Sequence, residues 1–347
     1  MPSFTRLSLQ GQTAYAELLD RLLRDVAGTT PGSIVRKTIK GRVYVYAQHR
    51  TPGGMRQTYL GPQSDEVLAR VERIEAAWRG ARERGRDREE LVAHLRASRV
   101  ATPTAAEAKV LAALSDAGLY RVGAVLAGTH AFACIGNALG VRWDVGALRT
   151  GDIDVVHDPH ISVAFAGEVE AADFARMTSD VASGVRLWPI PGFDPREPST
   201  SFKVHGAELH VDMLTPLRGR PRGPVPIALL GTAALPLRFL DYLVEESMPA
   251  VIVGGAGILV SVPTPARFAL HKLIVARERS AFHAAKAAKD LAQADALLSL
   301  LLEDRPADVR SACRALVGRG PAWVKRVKTS LSRIDATVAK QVQRHLA

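Results

Sequence analysis

The sequence predicts an α+β protein: a mixed β-sheet core with flanking helices, preceded by a small N-terminal β-meander with helices and followed by an all-helical C-terminal region. Three observations carry this. Between residues 122 and 216 the short apolar runs are mostly sequential neighbours with few helical crossovers, which indicates a mixed rather than a doubly wound sheet. Between Ser33 and Pro62 the chain breaks at glycines into short β-type runs. Beyond Val262 the segments carry helical periodicity to the end. The expected divisions are therefore 1–103, 104–262 and 263–347.

Residues 12–27 place Tyr15, Leu18, Leu19, Leu22, Leu23 and Val26 on one helical face. The runs SIVRKTI, RVYVYAQ and RQTYLG follow, separated by Lys40-Gly41 and Pro52-Gly53-Gly54, as a three-stranded antiparallel meander. There Arg36, Lys37, Lys40, Arg42, His49, Arg50 and Arg56 interleave with Tyr44, Tyr46 and Tyr59. That mixture suits a nucleic-acid backbone with stacked bases, and equally an ordinary small sheet with a solvated basic face. Residues 64–98 read as one long charged helix striped by Val67, Val71, Ile74, Trp78, Leu91 and Leu95, with RGARERGRDREE as a solvated face or a helix–helix joint. A helix at 103–117 leads to a strand at 122–127. Next come a helix at 129–139, the strand DIDVVH, a helix at 171–183, and the strands VRLWPI, SFKVH and ELHVDML, the last two joined at Gly206 as a hairpin. Helices at 264–279, 283–302, 307–317 and 322–346 complete the chain, with Pro263, Pro265, Pro306 and Pro321 near their starts.

The chain has 347 residues, 47% hydrophobic and 23% charged, enough to bury a large core. Its net charge of +11 favours polyanionic partners such as nucleic acid or nucleotide phosphates. Cys134 and Cys313 are far apart, which points to buried thiols rather than a disulfide framework. The opening MPSFTRLSLQGQ lacks the apolar core of a signal peptide. Residues 122–141 carry no Asp, Glu, Lys or Arg, but their glycines with Thr129, His130 and Asn137 read as a buried strand–turn–helix. A cytoplasmic protein with no membrane partner is expected; composition says nothing of oligomeric state.

Chemistry concentrates in three places. Gly128-Thr129-His130 reads as a phosphate-gripping turn, since glycine admits close backbone approach and a helix start offers N–H groups. Asp152 and Asp154, two apart on a strand, project to one face roughly 7 Å apart along the chain. Carboxylates so placed suit hard cations, about 3.5–4 Å apart in two-metal phosphoryl-transfer sites. Asp212, within the apolar strand ELHVDML, needs a partner, water or a cation. Downstream, Lys286, Lys289 and Gln293 share one helix face, Lys272 and Arg279 are seven apart beside His271, and Asp290 is placed to pair with Lys286 at i, i+4. His157, Asp158 and His160 fit a Pro-containing turn better than a transition-metal site. Lys325, Arg326, Lys328, Arg333, Lys340 and Arg344 make a basic C-terminal face, either solvated or suited to an RNA backbone. No P-loop, Rossmann fingerprint or Ser-His-Asp arrangement is present.

In LAGTHAFACIGNALGVRW, RTGDIDVV and ELHVDMLTP the chain resembles the nucleotidyltransferase superfamily (DNA polymerase beta-like), and with VPTPARFALHKLIVARER, KAAKDLAQADALL and YLGP the bacterial GSU2402-type nucleotidyltransferase-like family. The resemblance covers most of residues 40–300. It implies a nucleotidyltransferase-like core that transfers NMP from an NTP to a hydroxyl of RNA, tRNA, protein or a small molecule. Asp152, Asp154 and Asp212 are implied as catalytic ligands of Mg2+ (or Mn2+). Gly128, Thr129 and His130 are implied at the phosphates, joined by Lys272 or Lys289 on the helix-face argument. Where the superfamily usually has small residues, this chain has Thr129-His130. A catalytically degenerate nucleic-acid-binding protein, or a toxin–antitoxin or defence component, on the same scaffold stays open.

Overall fold

The computed structural model describes residues 3–25, 32–51, 54–144, 151–160, 174, 185–192, 194, 196–220 and 223–346. After β1 (Phe4–Arg6) and α1 (Leu9–Asp25), the strands β2 (Gly32–Ile39), β3 (Arg42–Thr51) and β4 (Gly54–Pro62) form the expected antiparallel meander. Lys40 and Gly41, at φ 50 and 77, make the tight β2–β3 turn, as a two-residue hairpin requires. One face of the meander, carrying Val45, Ala47 and Leu60, packs on Val71 and Trp78 of α2 (Asp65–Ala97), whose cap Ser64 accepts from the Val67 N–H. The arginine-rich stretch of α2 is a joint: Arg84 and Arg88 both hold Asp25 of α1, and Arg88 also donates to the Ala256 carbonyl.

Helix α3 (Ala105–Asp116) begins with a reciprocal capping box between Thr104 and Glu107. The core then runs through β5 (Val125–Leu126), α4 (Gly128–Ala138), β6 (Val141–Trp143), β7 (Asp152–Val156), β8 (Leu187–Ile190), β9 (Ser201–Val204), β10 (His210–Pro216), β11 (Val225–Ile227), β12 (Thr232–Leu237), α5 (Leu240–Val244), β13 (Ser247–Ile252) and β14 (Ile258–Pro263). β10 is the hub of a mixed sheet. It pairs parallel with β7 on one edge, and on the other antiparallel with β9 near its start and parallel with β12 near its end. β5 closes antiparallel on β7, β11 on β12, and β8 on β9. Helices α6 (Pro265–Glu278), α7 (Ala284–Asp304), α8 (Pro306–Val317), α9 (Pro321–Leu331) and α10 (Ala336–Gln343) follow, and a single apolar cluster extends from α3 through the sheet into them.

Several expectations need correction. The strand expected at 122–127 is only Val125–Leu126, because Gly118 and Gly123, at φ 85 and 89, hold the preceding residues in a turn. The helix expected at 322–346 is two, since Asp335 caps a new start by accepting from the N–H groups of Thr337 and Val338. The β13–β14 hairpin is an apolar run with a Gly-rich turn, whose lack of alternation hides its strands. β1, paired with β6, was equally hidden by its brevity. The helix expected at 171–183 lies, Phe174 apart, outside the described residues. Both cysteines are buried and unbridged, and no described helix is long and apolar enough to cross a membrane.

Candidate active site

The parallel register of β7 and β10 sets Asp154 beside Asp212 and Asp152 beside His210. Ile153, Val155, Val211 and Met213 are fully buried, so the two-residue period turns Asp152, Asp154, His210 and Asp212 to the opposite, half-open face. Adjacent strands lie about 4.8 Å apart, which puts two carboxylates at repelling range. The consequence is a carboxyl at Asp154 whose pKa is pushed up to about 6, by burial first and by Asp212 second, with Lys272 opposing. Asp212 Oδ1 accepts a short hydrogen bond from the Ser201 hydroxyl, which the antiparallel β9–β10 register places opposite it. His210 Nδ1 stands 3.8 Å from Asp152 Oδ1. Among the described residues, no three His, Cys, Asp or Glu side chains form a metal-holding group as they stand.

The turn into α4 is built against this face. The Ala127 N–H donates to the Asp154 carbonyl at 2.8 Å. Gly128 then sits at φ 63, where a Cβ would collide with the Asp154 carboxylate. Ala127, at the cap position, brings no side-chain acceptor for the first-turn N–H groups. Gly128→Ala is therefore expected to lose about 2 kcal/mol or more, combining left-handed strain with the collision. Gly206→Ala, at φ 75 with open space around it, is expected to lose only the strain, about 1 kcal/mol. Urea unfolding of the two variants checks the difference, and equal losses would discard the steric argument.

Thr129 and His130 are buried in the first turn of α4. His130 Nε2 lies 3.9 Å from Glu107 Oε1 on α3 and makes no hydrogen bond. Burial lowers the imidazole pKa, Glu107 opposes that, and Lys289 lowers it further, so the ring is neutral at neutral pH.

The cations come from α6 and α7. Lys272 Nζ lies 2.7 Å from Asp290 Oδ1, and Arg279 Nε 2.6 Å from Asp290 Oδ2. Asp290 thus joins α6 to α7 rather than pairing with Lys286. Lys289 is part-buried, which lowers its pKa, as does Lys272, while Asp290, Asp152 and Asp154 act the other way. Lys286 also acts on the Asp154 carboxyl through its charge. Gln293, expected on the same face, is instead wholly buried in the core.

Asp152, Asp154 and Asp212 thus share one sheet face with the Gly128 turn against it, Lys289 and His130 act on or feel these carboxylates through charge, and Lys272 is tied to Asp290. The other clusters have structural partners. His157 Nε2 meets the Val122 carbonyl at 3.1 Å, Asp158 pairs with Arg218 at 2.7 Å, and the His160 N–H donates to Asp158 Oδ1, which makes HDPH a fastened turn. In the basic C-terminal segment Arg326 is engaged by Glu278 and lies over the Phe239 ring. Ser201 and Glu107 escaped the sequence reading. The first was legible, because a hairpin centred near Gly206 sets residue 201 opposite residue 212; the second was not, because nothing local places α3 against α4.

A family model described as Nucleotidyltransferase matches residues 105–318, a span that contains the carboxylates, the Gly128 turn and both lysine-bearing helices. No curated protein and no solved structure matches the chain.

Proposed function

Because the chain belongs to the nucleotidyltransferase family, we propose that it moves an NMP unit from an NTP to a hydroxyl acceptor, releasing pyrophosphate, at the face formed by β7 and β10. The observation that carries this is Asp154 in register with Asp212, with Asp152 two residues away on the same face.

The donor set fits Mg2+ or Mn2+: hard carboxylate oxygens, with the Asp154 pKa raised to about 6 by burial first and by the neighbouring Asp212 second. Asp152, Asp154 and Asp212 would hold it, and the bound ion supplies neutralisation of phosphate charge and polarisation of the α-phosphate. The protein's own groups do the rest. The first-turn N–H groups at Gly128 and Thr129 receive the triphosphate, and the missing Cβ of Gly128 leaves room for the Asp154 carboxylate beside them. Lys286 and Lys289, already within the field of the carboxylates, offset negative charge gathering on the leaving pyrophosphate. His130, neutral, offers the phosphates an imidazole N–H rather than a charge. Ser201 fixes Asp212 through Oδ1 and leaves Oδ2 for the proton of the acceptor hydroxyl.

The test is incubation with each α-labelled NTP, Mg2+ and cell RNA or lysate, comparing wild type with Asp152→Ala. Label transfer that falls about a hundredfold or more in the variant is the expected result. Wild-type protein that labels nothing, or labelling that survives Asp152→Ala, removes the assignment.

A further inference from the structure

The face of the β2–β3–β4 meander turned away from α2 is a platform that carries none of the residues assigned to the transfer site. Because Tyr46 pairs with Tyr59, and Tyr44 with Lys37 on the other side, these residues project together from the sheet. The Tyr46 and Tyr59 rings lie 5.3 Å apart, Tyr44 and Tyr59 6.2 Å apart, and Lys37 Nζ sits 4.8 Å over the Tyr46 ring. Along the same face Lys37 Nζ donates to Gln57 Oε1 at 2.8 Å, and Gln57 Nε2 donates to Gln48 Oε1 at 2.6 Å. Tyr59 is 52% exposed, Met55 54% and Ile39 48%, an unusual amount of aromatic and apolar surface for a three-stranded sheet whose other face is already packed.

Charge decides what such a surface meets. Between Asp25 and Asp65 the sequence holds six Lys and Arg and no Asp or Glu at all, and by register Lys37 and Arg42 share the tyrosine face while Arg36 lies on the side of Val45. A sheet that offers clustered π-faces within a wholly positive segment matches a strand with negative phosphates and unstacked bases, and opposes a membrane core or a basic protein. A duplex, whose bases are stacked inward, would use the charge and leave the tyrosines idle. The amide and ammonium groups of Gln48, Gln57 and Lys37, set beside the rings, are placed to bond sugar 2′-hydroxyls, which distinguishes RNA from DNA.

We propose that the outer face of this meander binds single-stranded RNA, its tyrosines stacking bases and its lysines and arginines following the backbone. This binding needs neither NTP nor metal, so its fate is separate from that of the transfer reading.

Fluorescence anisotropy tests it with the full chain in EDTA, using an unstructured RNA of about 12 nucleotides, the same sequence as DNA, and the RNA as a duplex. The single-stranded RNA is expected to bind most tightly, with log affinity falling linearly against log salt. Tyr46→Leu and Tyr59→Leu are each expected to weaken binding about tenfold, while Tyr46→Phe and Tyr59→Phe stay within about twofold, since phenyl rings still stack. Lys37→Gln is expected to reduce the salt slope by about 0.7. Tyr59, half exposed, and Lys37 are surface positions, so these variants keep the test open if Tyr46→Leu unfolds. Leu variants that bind like wild type, or duplex or DNA that binds as tightly as the RNA, overturn the proposal.

Discussion

Asp154→Asn is expected to make the metal-free protein more stable at pH 7.5 while lowering NMP transfer by about a hundredfold or more. The stability half follows from linkage. Folding raises the Asp154 carboxyl pKa from 3.8 to about 6, so the folded state holds the proton more tightly than the unfolded chain. The contribution of Asp154 to stability is therefore fully present below about pH 4, is lost as pH rises through 6, and stays absent above that, by roughly 1–3 kcal/mol for a shift of this size in a partly accessible group. Asparagine copies the protonated side chain in shape and removes both the desolvated charge and its repulsion with Asp212. Urea unfolding in EDTA between pH 4 and 8 should show the wild-type decline flattened in the variant. Added Mg2+ should stabilise wild type at pH 7.5 more than Asp154→Asn, because a divalent ion offsets in one what the substitution removes in the other. A variant less stable than wild type at pH 7.5 would mean that Asp154 is not under electrostatic stress, and the site would lose its best physical argument.

That stress also marks the boundary of what the sequence could tell. Asp152 and Asp154 on one strand face follow from a period of two, whereas Asp212 on a strand beside them was implied only by the family resemblance, since the Gly206 hairpin joins β10 to β9 and not to β7. The meander was equally legible, because glycine turns and β-branched runs are local signals. What escaped depends on tertiary approach. Asp290 looked like an i, i+4 partner of Lys286, yet the close packing of α6 on α7 brings Lys272 and Arg279 to it instead. Gln293 shares a helix face with Lys286 by count, but its side chain is wholly buried. The β13–β14 hairpin, an apolar run without alternation, offers no period with which to tell a buried strand from a buried helix.

Asp290→Ala is expected to destabilise the protein by about 3 kcal/mol. Asp290 is buried, and its two oxygens each hold one cation: Lys272, 13% exposed at its side chain, and Arg279, 28% exposed. Removing the carboxylate leaves two positive groups facing each other in a space that water enters poorly, and the penalty of breaking a buried pair is mostly that of the abandoned charge. Arg279 has enough access to turn outward, which keeps the loss at the lower end of the usual range. Lys272 has less, and the negative group that already attracts it is Asp154. The variant should accordingly draw Lys272 towards the carboxylates, lower the Asp154 pKa, and move the pH-dependent decline in stability to lower pH. A double-mutant cycle with Lys272→Met separates the two effects. If Asp290 acts by seating Lys272, the second substitution should cost much less in the Asp290→Ala background than in wild type, a coupling of about 1 kcal/mol or more. Additive losses, or an Asp290→Ala protein within about 1 kcal/mol of wild type, would show that the α6–α7 junction stands on its apolar packing and that Lys272 is positioned by other means.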